Sequence, residues 1–240
     1  MNSKDLIRST LNFLHLDLTK NLEYDRLTKL IMKIVINRDS NCIDVGCHKG
    51  EILDSMIRLS PGGRHYGFEP IPLLFNQLKV KYENKAAIYP FALSDRNGTS
   101  TFQFVKNAPA YSGIIKRKYD IEVPDIEEIT VELKTLDEVI PPEIKIHFIK
   151  IDVEGGEFAV LKGAKQLIKR SKPVIVFECG LGASDYYGTK PADIYNFIAA
   201  EAGLKISLLK SFIQATAPMT LMEYEMYFNS GKEYYFIAHP

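Results

Sequence analysis

Residues 43–50 read Ile-Asp-Val-Gly-Cys-His-Lys-Gly, and this stretch decides the fold class. The apolar run 42–45 leads into a turn that holds Gly46 and Gly50, and an amphipathic segment begins at residue 51. Glycine permits a sharp turn and a close ligand approach, and the dipole of a following helix favours negative charge at its N-terminus. This order predicts a nucleotide-binding turn after the first strand of an open α/β sheet.

Further apolar runs and helical patterns alternate along the chain. The apolar runs after the first one are 65–68, 86–91, 146–153 and 174–177. The helical patterns are 51–59, 72–82, 158–169 and 192–202. Near-continuous apolar strands that alternate with helices predict a parallel sheet covered on both faces. The predicted fold class is therefore α/β, with a Rossmann-like doubly wound sheet.

Two segments inside the chain depart from this alternation. Residues 99–105 and 129–133 each alternate apolar and polar side chains, which predicts an inserted antiparallel hairpin. The residues between them, 106–127, predict a loop. The aromatic run 233–238 predicts a final strand.

The N-terminal segment has the apolar spacing of a helix rather than of a strand. We expect two units, an N-terminal helical cap over residues 1–38 and a main domain over residues 39–240. The cap could pack on its own domain, on a partner subunit or over the substrate.

Composition limits the classes of protein to consider. The chain has 240 residues, 30 Lys and Arg against 30 Asp and Glu, 46% hydrophobic and 25% charged residues, values typical of a globular protein. A net charge of zero argues against nucleic-acid binding by bulk electrostatics. The sequence shows no 18-residue apolar run and no signal-peptide pattern. Three sparse cysteines, Cys42, Cys47 and Cys179, predict reduced thiols and a cytoplasmic location.

An acidic residue that ends the second strand narrows the choice of ligand. Glu69 stands 23 positions after Gly46, about the spacing at which an acid binds ribose hydroxyls. This favours an adenosine-containing cofactor over a structural turn with a solvated glutamate. The dinucleotide pattern Gly-x-Gly-x-x-Gly is not met, because His48 replaces the second glycine and Asp44 precedes the turn. Asp44 would repel a pyrophosphate and tolerate a sulfonium or ammonium, so S-adenosylmethionine is favoured over NAD.

Acidic residues stand at the predicted carboxyl ends of four strands. These residues are Asp44, Glu69, Asp152 and Glu178. Ligands of open α/β sheets bind at this edge, so four acids there favour a site over helix caps alone. On an extended strand, Asp152 and Glu154 face the same side about 6.6 Å apart.

Five short motifs recur along the chain: DVGxxxG at 44–50, FEP at 68–70, ALSDxxG at 92–98, KIDVEGGE at 150–157 and FE at 177–178. Together they resemble the FkbM-type methyltransferases, which are class I S-adenosylmethionine-dependent enzymes. The resemblance covers about residues 40–238 and implies a seven-stranded sheet with an antiparallel last strand. It also implies methylation of hydroxyl groups on sugars, glycans or natural products.

The resemblance implies a set of cofactor-binding residues. They are Asp44, Gly46 and Gly50 for the methionine part, Glu69 for the ribose, and Ala92, Leu93 and Ser94 for the adenine. Cys47 and His48 complete the glycine turn, Pro70 follows the ribose acid, and Asp152 adds a contact. By the same resemblance, Asp152 and Glu154 form the acidic motif of the active site.

A sugar hydroxyl is a poor nucleophile at pH 7, so a base or a metal ion must help to remove its proton. We predict Glu154 as the base with Asp152 beside it, and His48 as the second choice. In the alternative, Asp152 and Glu178 hold Mg²⁺ or Mn²⁺ together with the acceptor. Asp152 could instead contact the cofactor amine or cap a helix.

Substrate contacts are expected from loops over this edge. The candidates are Tyr111, Ser112, Tyr186 and Tyr187, whose rings or hydroxyls could meet a sugar. The basic cluster 116–118 is either a solvated turn or a phosphate site. Two other functions stay open, an NAD-dependent oxidoreductase and a catalytically silent cofactor-binding module. The oligomeric state is also open.

Overall fold

The computed structural model describes residues 19–119 and 121–240. Its strands are β1 Cys42–Val45, β2 His65–Phe68, β3 Ala87–Tyr89, β4 Phe91–Leu93, β5 Gly98–Val105, β6 Ile126–Lys134, β7 Phe148–Ile151, β8 Val174–Glu178, β9 Lys205–Leu208 and β10 Tyr235–His239. Seven of them form one sheet in the order β3-β2-β1-β7-β8-β10-β9. The neighbours from β3 to β8 are parallel, and β10 is antiparallel to both β8 and β9. This confirms the predicted mostly parallel α/β sheet with an antiparallel last strand.

Helices cover both faces of the sheet. They are α1 Lys20–Val35, α2 Glu51–Leu59, α3 Pro72–Lys81, α4 Leu136–Val139, α5 Glu157–Gly163, α6 Lys165–Ser171, α7 Pro191–Asn196, α8 Leu209–Ile213 and α9 Leu221–Ser230. One buried cluster joins the sheet to α1, α2 and α8, and a second joins it to α5, α6, α7 and α9. None of the helices in the described ranges is long and apolar enough to cross a membrane.

The inserted antiparallel strands are confirmed as β5 and β6, which pair along their whole length. The predicted single strand 86–91 is wrong, because the chain divides there between two sheets. Pro90, which has no N–H to donate, separates β3 in the large sheet from β4, which pairs with β6 in parallel. A three-stranded sheet, β4-β6-β5, results.

Of two other predicted elements, the strand is shorter than expected and the helix is divided into two. The strand 146–153 ends at Ile151, so Glu154 lies in the turn that follows β7 rather than on the strand. The helix 158–169 is interrupted at Ala164, between α5 and α6. Just before the break, Gly163 packs closely against the chain after β4, because a Cβ there would lie 2.0 Å from the Ser94 carbonyl oxygen.

Helix α1 is built into the core of the sheet domain. Thr19 caps it by accepting a hydrogen bond from the Leu22 N–H, and its side chains at Leu27, Ile31 and Met32 are buried. These side chains belong to the same apolar cluster as the central strands and α2. Residues 1–18 of the predicted cap lie outside the described residues, and the boundary at residue 38 stays a prediction.

Candidate active site

The carboxyl ends of β1, β2, β7 and β8 open onto two adjoining cavities. The larger has a volume of about 830 Å³ and the smaller about 70 Å³. Five residues line both cavities: Gly46, His48, Ala110, Asp152 and Glu154. The start of β10 also lies at this edge, because β10 runs antiparallel and Tyr235 pairs with Glu178. One elongated ligand can therefore extend from one cavity into the other.

The glycine turn lies between the two cavities. Gly46 and Gly50 have φ values of +80° and +78°, in the left-handed region that favours glycine. A Cβ on Gly46 would lie 2.0 Å from the Asp152 carbonyl oxygen. The turn therefore packs directly on the segment that carries the acidic motif. Beside it, Cys47 is buried and its Sγ donates to the Asp44 carbonyl oxygen at 3.1 Å.

The smaller cavity contains most of the residues predicted to bind adenosine. Glu69, Pro70, Ala92 and Leu93 line it, whereas Ser94 is buried outside both cavity linings. Glu69 accepts hydrogen bonds from the backbone N–H of His48 at 2.8 Å and of Ile71 at 3.0 Å. Burial raises the pKa of Glu69 to about 7, although these two bonds lower it.

Asp44 brings an unsatisfied acidic oxygen to the larger cavity. Its side chain is 2% exposed, and its Oδ2 has no hydrogen-bond partner. Burial raises the pKa of Asp44 to about 7, against the opposing charge of Lys150. An unpartnered buried carboxyl oxygen costs free energy, and a positively charged ligand group would offset that cost.

Asp152 lies at the centre of a polar network in the larger cavity. Its Oδ2 accepts from Lys150 Nζ at 3.0 Å and from the Tyr235 hydroxyl at 2.5 Å. Burial alone would raise the pKa of Asp152, but the Lys150 charge and hydrogen bonds from Glu178 and Tyr235 lower it to about 2. Burial and the neighbouring Asp152 charge raise the pKa of Glu178 well above its usual range. The two shifts act in opposite directions, favouring the charged form of Asp152 and the protonated form of Glu178.

Glu154 faces the same cluster from a tight turn. Its backbone has a φ of +59°, unusual for a residue with a side chain, and its carboxylate forms an ion pair with Arg117. Carboxylate oxygens of Asp152, Glu154 and Glu178 all lie within 4.8 Å of one another. The buried Glu157 fixes the turn, since it accepts from the N–H groups of Val153 and Gly155. The predicted proximity of the acids is therefore present, by way of a turn.

The predicted loop residues differ in the roles that their contacts allow. Tyr111, exposed Tyr186 and Arg117 line the larger cavity, whereas Ser112 and Tyr187 line the smaller one. The Tyr187 hydroxyl accepts from the N–H groups of Ile114 and Ile115 at 3.1 and 3.2 Å, and Ser112 Oγ accepts from Val105 N–H at 3.0 Å. Ser112 and Tyr187 therefore hold the loop in place, while Tyr111 and Tyr186 are better placed to meet an acceptor.

Sequence reasoning missed several side chains of the larger cavity: Tyr24, Asp25, Thr28, Lys150, Tyr234 and Tyr235. Two signals could have found some of them. Lys150 stands two positions before Asp152 in the predicted strand, so both side chains are expected on one side of it. A buried lysine also needs an anionic partner. Tyr235 begins an antiparallel last strand, which places it at the carboxyl edge. No comparable signal marks the α1 residues, whose position depends on packing.

From the sequence, Arg117 is expected only as part of a solvated turn or of a phosphate site. Its side chain is 10% exposed, and it also donates to the Gly182 carbonyl oxygen at 3.1 Å. Its guanidinium lies 5.6 Å from the ring centre of Tyr111 and 5.8 Å from that of Tyr119. Arg117 therefore connects the inserted loop to the acidic cluster and to the loop after β8.

Comparisons with known proteins agree with this arrangement. The sequence model of the Methyltransferase FkbM domain matches residues 44–206. No curated protein sequence matches the chain. Among solved structures, methyltransferase FkbM from Methylobacillus flagellatus KT is similar, with a TM-score of 0.53 and 16% identity over 85% of this chain. The chain spans only 44% of the length of that protein.

A putative methyltransferase from Streptococcus mutans, solved in complex with SAH, matches with a TM-score of 0.48 and 9% identity. That match covers 89% of this chain and 96% of the other. At 16% identity, the likeness to the Methylobacillus flagellatus structure shows the fold alone. The family match is stronger evidence than these structures, because it extends over about two thirds of the chain, from the end of β1 into β9. The chain belongs to the FkbM methyltransferase family.

Proposed function

We propose that the protein transfers a methyl group from S-adenosylmethionine to a hydroxyl group of a sugar, a glycan or another natural product. The observation that carries the proposal is the pair of joined cavities at the carboxyl edge. The smaller one presents Glu69 beside apolar walls, and the larger one presents three clustered carboxylates. Family membership supports methyl transfer as the reaction.

The described residues fit this cofactor on two observations. The turn at Gly46 packs so closely on the Asp152 backbone that no side chain fits between them, and both residues line the two cavities. Asp44 Oδ2 is buried without a partner, which suits a cationic group of the ligand. Glu69 would hold the ribose, and Ala92 and Leu93 would contact the adenine. When bound, S-adenosylmethionine supplies a methyl group made electrophilic by its sulfonium.

The acidic cluster would prepare the acceptor. Glu154 would take the proton of the acceptor hydroxyl, because it lines both cavities and sits in a turn fixed by Glu157. To do so it must share or release its ion pair with Arg117. Asp152 stays ionised, held by Lys150 and Tyr235, and so provides a fixed negative charge near the cationic reaction centre.

The acidic cluster has the ligand spacing of a divalent-metal site, but its carboxylates already have other partners. Three carboxylate oxygens within 4.8 Å could surround a small cation. However, Lys150 and Tyr235 already bind Asp152, Arg117 binds Glu154, and the raised pKa of Glu178 favours its protonated form. A divalent ion would have to displace a cation or a proton at each ligand, so no step is assigned to it. Turnover that disappears with EDTA and returns with Mg²⁺ or Mn²⁺ would reverse this assignment.

Ligand-dependent melting tests the cofactor. A ligand at 100 times its dissociation constant stabilises a protein by about 2.7 kcal/mol, or roughly 5–10 °C here. We expect such a rise with S-adenosylmethionine and S-adenosylhomocysteine and none with NAD. A rise with NAD alone would overturn the proposal in favour of an oxidoreductase. Binding without methylated product from any hydroxyl acceptor would instead favour a silent module.

Glu154→Gln tests the base. We expect kcat to fall by about 100-fold or more, because a positioned base contributes that much, while S-adenosylhomocysteine affinity stays near wild type. The control is Glu83→Gln, an exposed position after α3. If kcat of Glu154→Gln stays within about threefold of wild type, Glu154 is not the base.

A further inference from the structure

The loop between β5 and β6 carries three consecutive cations, Lys116, Arg117 and Lys118. Arg117 and Lys118 line the larger cavity, whereas Lys116 is exposed and lies outside its lining. The structure therefore divides the basic cluster. One lysine belongs to the outer surface of the loop, and the other two cations belong to the wall of the proposed active site.

Arg117 keeps unused hydrogen-bond donors at this wall. One of its terminal nitrogens donates to Glu154 and the other to the Gly182 carbonyl oxygen. A guanidinium has five N–H donors, and among the described residues the other three have no hydrogen-bond partner. The side chain is 10% exposed and lines the cavity, so these donors can reach a ligand. Their planar arrangement matches the oxygens of carboxylate and phosphate groups.

Lys118 places a second positive charge beside these donors. Its side chain is exposed, and its Nζ forms no ion pair with any residue that the structure describes. Its backbone N–H donates to the Tyr186 hydroxyl at 3.4 Å, which ties this part of the loop to the cavity mouth. Because Lys118 follows Arg117 directly in the chain and both line one cavity, one anionic group can contact both side chains.

The acids of the larger cavity do not cancel this positive charge. Except for Glu154, each acid in the lining either has a partner of its own or has a pKa raised by burial. The acids with partners are Asp25, Glu51 and Asp152, and those with a raised pKa are Asp44 and Glu178. Glu154 contacts Arg117 directly, so it competes with any anion that binds there.

We propose that the acceptor carries an anionic group, a carboxylate or a phosphate, near the hydroxyl that is methylated, and that Arg117 and Lys118 bind this group. The inference rests on the proposed function and names the class of its acceptor. Glu154 and the bound anion would share one guanidinium, so each weakens the contact of the other. Binding of an acidic acceptor thereby loosens the ion pair that Glu154 must release before it can take the hydroxyl proton. A neutral acceptor leaves that ion pair intact.

Two small anions test this subsite. Inorganic phosphate and acetate are titrated into the protein saturated with S-adenosylhomocysteine, so that neither anion can enter the cofactor site. Binding is followed by line broadening in phosphorus NMR for phosphate and in carbon NMR for labelled acetate. We expect a dissociation constant of about 1–20 mM for at least one of them. Tighter binding of phosphate would indicate a phosphorylated acceptor, and tighter binding of acetate would indicate a uronic acid.

Three matched variants assign the binding to residues. Arg117→Gln should weaken anion binding about tenfold, because a charged and planar set of donors is lost. Lys118→Gln should weaken it about threefold, and this exposed substitution keeps the test decisive if Arg117→Gln does not fold. Lys116→Gln is the control, since it removes the same charge from the same loop outside the cavity lining, and it should change binding less than about twofold.

Each of the other outcomes would overturn the subsite. One is the absence of broadening with either anion up to about 50 mM. Another is anion binding that Arg117→Gln and Lys118→Gln leave unchanged, because the anion would then bind elsewhere. Equal effects of Lys116→Gln and Lys118→Gln would mean that only the general charge of the loop matters. All of these results leave the proposed function standing, whereas a wild-type protein that does not bind S-adenosylhomocysteine would contradict that function itself.

Discussion

Lys150 controls the ionisation of the acidic cluster at the scale of single residues. Its buried Nζ touches both Asp152 and the Tyr235 hydroxyl, and it lies 4.6 Å from the centre of the Tyr235 ring. One cation thereby contacts an aspartate and a tyrosine, and the charge of that aspartate in turn raises the pKa of Glu178. Removing that cation should affect the whole network rather than one pair.

Lys150→Met should lower the free energy of unfolding by about 1–2 kcal/mol at pH 7, since Asp152 keeps its charge but loses its partner. The pKa of folded Asp152 is about 2, below the unfolded value. Its contribution is therefore complete above about pH 4 and is lost as the pH falls towards 2. Urea unfolding should show the gap from wild type at pH 7 and a narrower gap at pH 3.

Lys145→Met, at an exposed position before β7, is the control for this prediction and should show no such gap. A difference between Lys150→Met and wild type that stays constant from pH 7 to pH 3 would mean that Lys150 stabilises the fold through its aliphatic chain. The charge argument would then be wrong.

The pH dependence of stability expected from Asp44 has the opposite sign to that from Asp152. Its folded pKa of about 7 lies above the unfolded value, so its contribution is complete below about pH 4 and is lost as the pH rises from there through 7. Asparagine does not ionise, so Asp44→Asn should stabilise the ligand-free protein by about 2 kcal/mol more at pH 8 than at pH 5. The same variant should bind S-adenosylhomocysteine more weakly.

Melting curves at both pH values check the Asp44 prediction, with Asp193→Asn on the exposed side of α7 as control. Gain of stability with loss of binding would identify Asp44 as a residue kept for its ligand. Equal melting temperatures of Asp44→Asn and wild type at pH 8 would contradict a buried, destabilising charge.

At the scale of elements, the sequence predicted secondary structure where packing follows the local pattern. β1, β2 and α2 occur at the predicted bounds, because their apolar periods match the sheet and its covering helices. The prediction failed where long-range contacts decide. The division at Pro90 depends on a second sheet, and the break at Ala164 has no signal in the local apolar pattern. The short edge strand β9 has only two apolar side chains and gave little signal.

The loop between β5 and β6 is attached to the loop after β8 chiefly through the Tyr187 hydroxyl, which accepts two N–H groups. Tyr187→Phe would leave both N–H groups without that acceptor. We expect the amides of Ile114 and Ile115 to exchange with solvent at least about tenfold faster, and the acceptor KM to rise, because the loop opens more often.

Tyr186→Phe provides a matched comparison for the exchange experiment. That hydroxyl accepts only one longer bond, 3.4 Å from the Lys118 N–H, and its side chain is 43% exposed. Its loss should leave the exchange at 114 and 115 unchanged. Equal exchange in wild type and Tyr187→Phe would show that the loop is held by other contacts, such as Arg117 with Gly182.

At the scale of the whole molecule, the sequence predicted which edge of the sheet would carry chemistry but not every element that closes it. Parallel strands bring Asp44, Glu69, Asp152 and Glu178 to one edge by topology alone, so their position was predictable. Arg117 and the α1 side chains that line the larger cavity reach the same space only through tertiary packing. Helical periodicity showed that α1 has an apolar face, but not which surface that face would cover.

The apolar face of α1 provides a test of whether the N-terminal segment is a separate cap. Ile31 is fully buried against the sheet domain, whereas Ile34, one turn along, is 57% exposed. If α1 and the sheet form one cooperative unit, Ile31→Ala should cost about 2–5 kcal/mol and lower the single melting temperature by roughly 4–20 °C. Ile34→Ala should shift it by less than about 2 °C.

Calorimetry distinguishes one cooperative unit from an independent cap, because the shape of the unfolding transition reports cooperativity. A separate cap would give Ile31→Ala an early minor transition and leave the main one at the wild-type temperature. A single shifted transition would mean that α1 cannot detach without unfolding the sheet. The α1 side chains that line the larger cavity would then remain part of its wall for as long as the protein is folded.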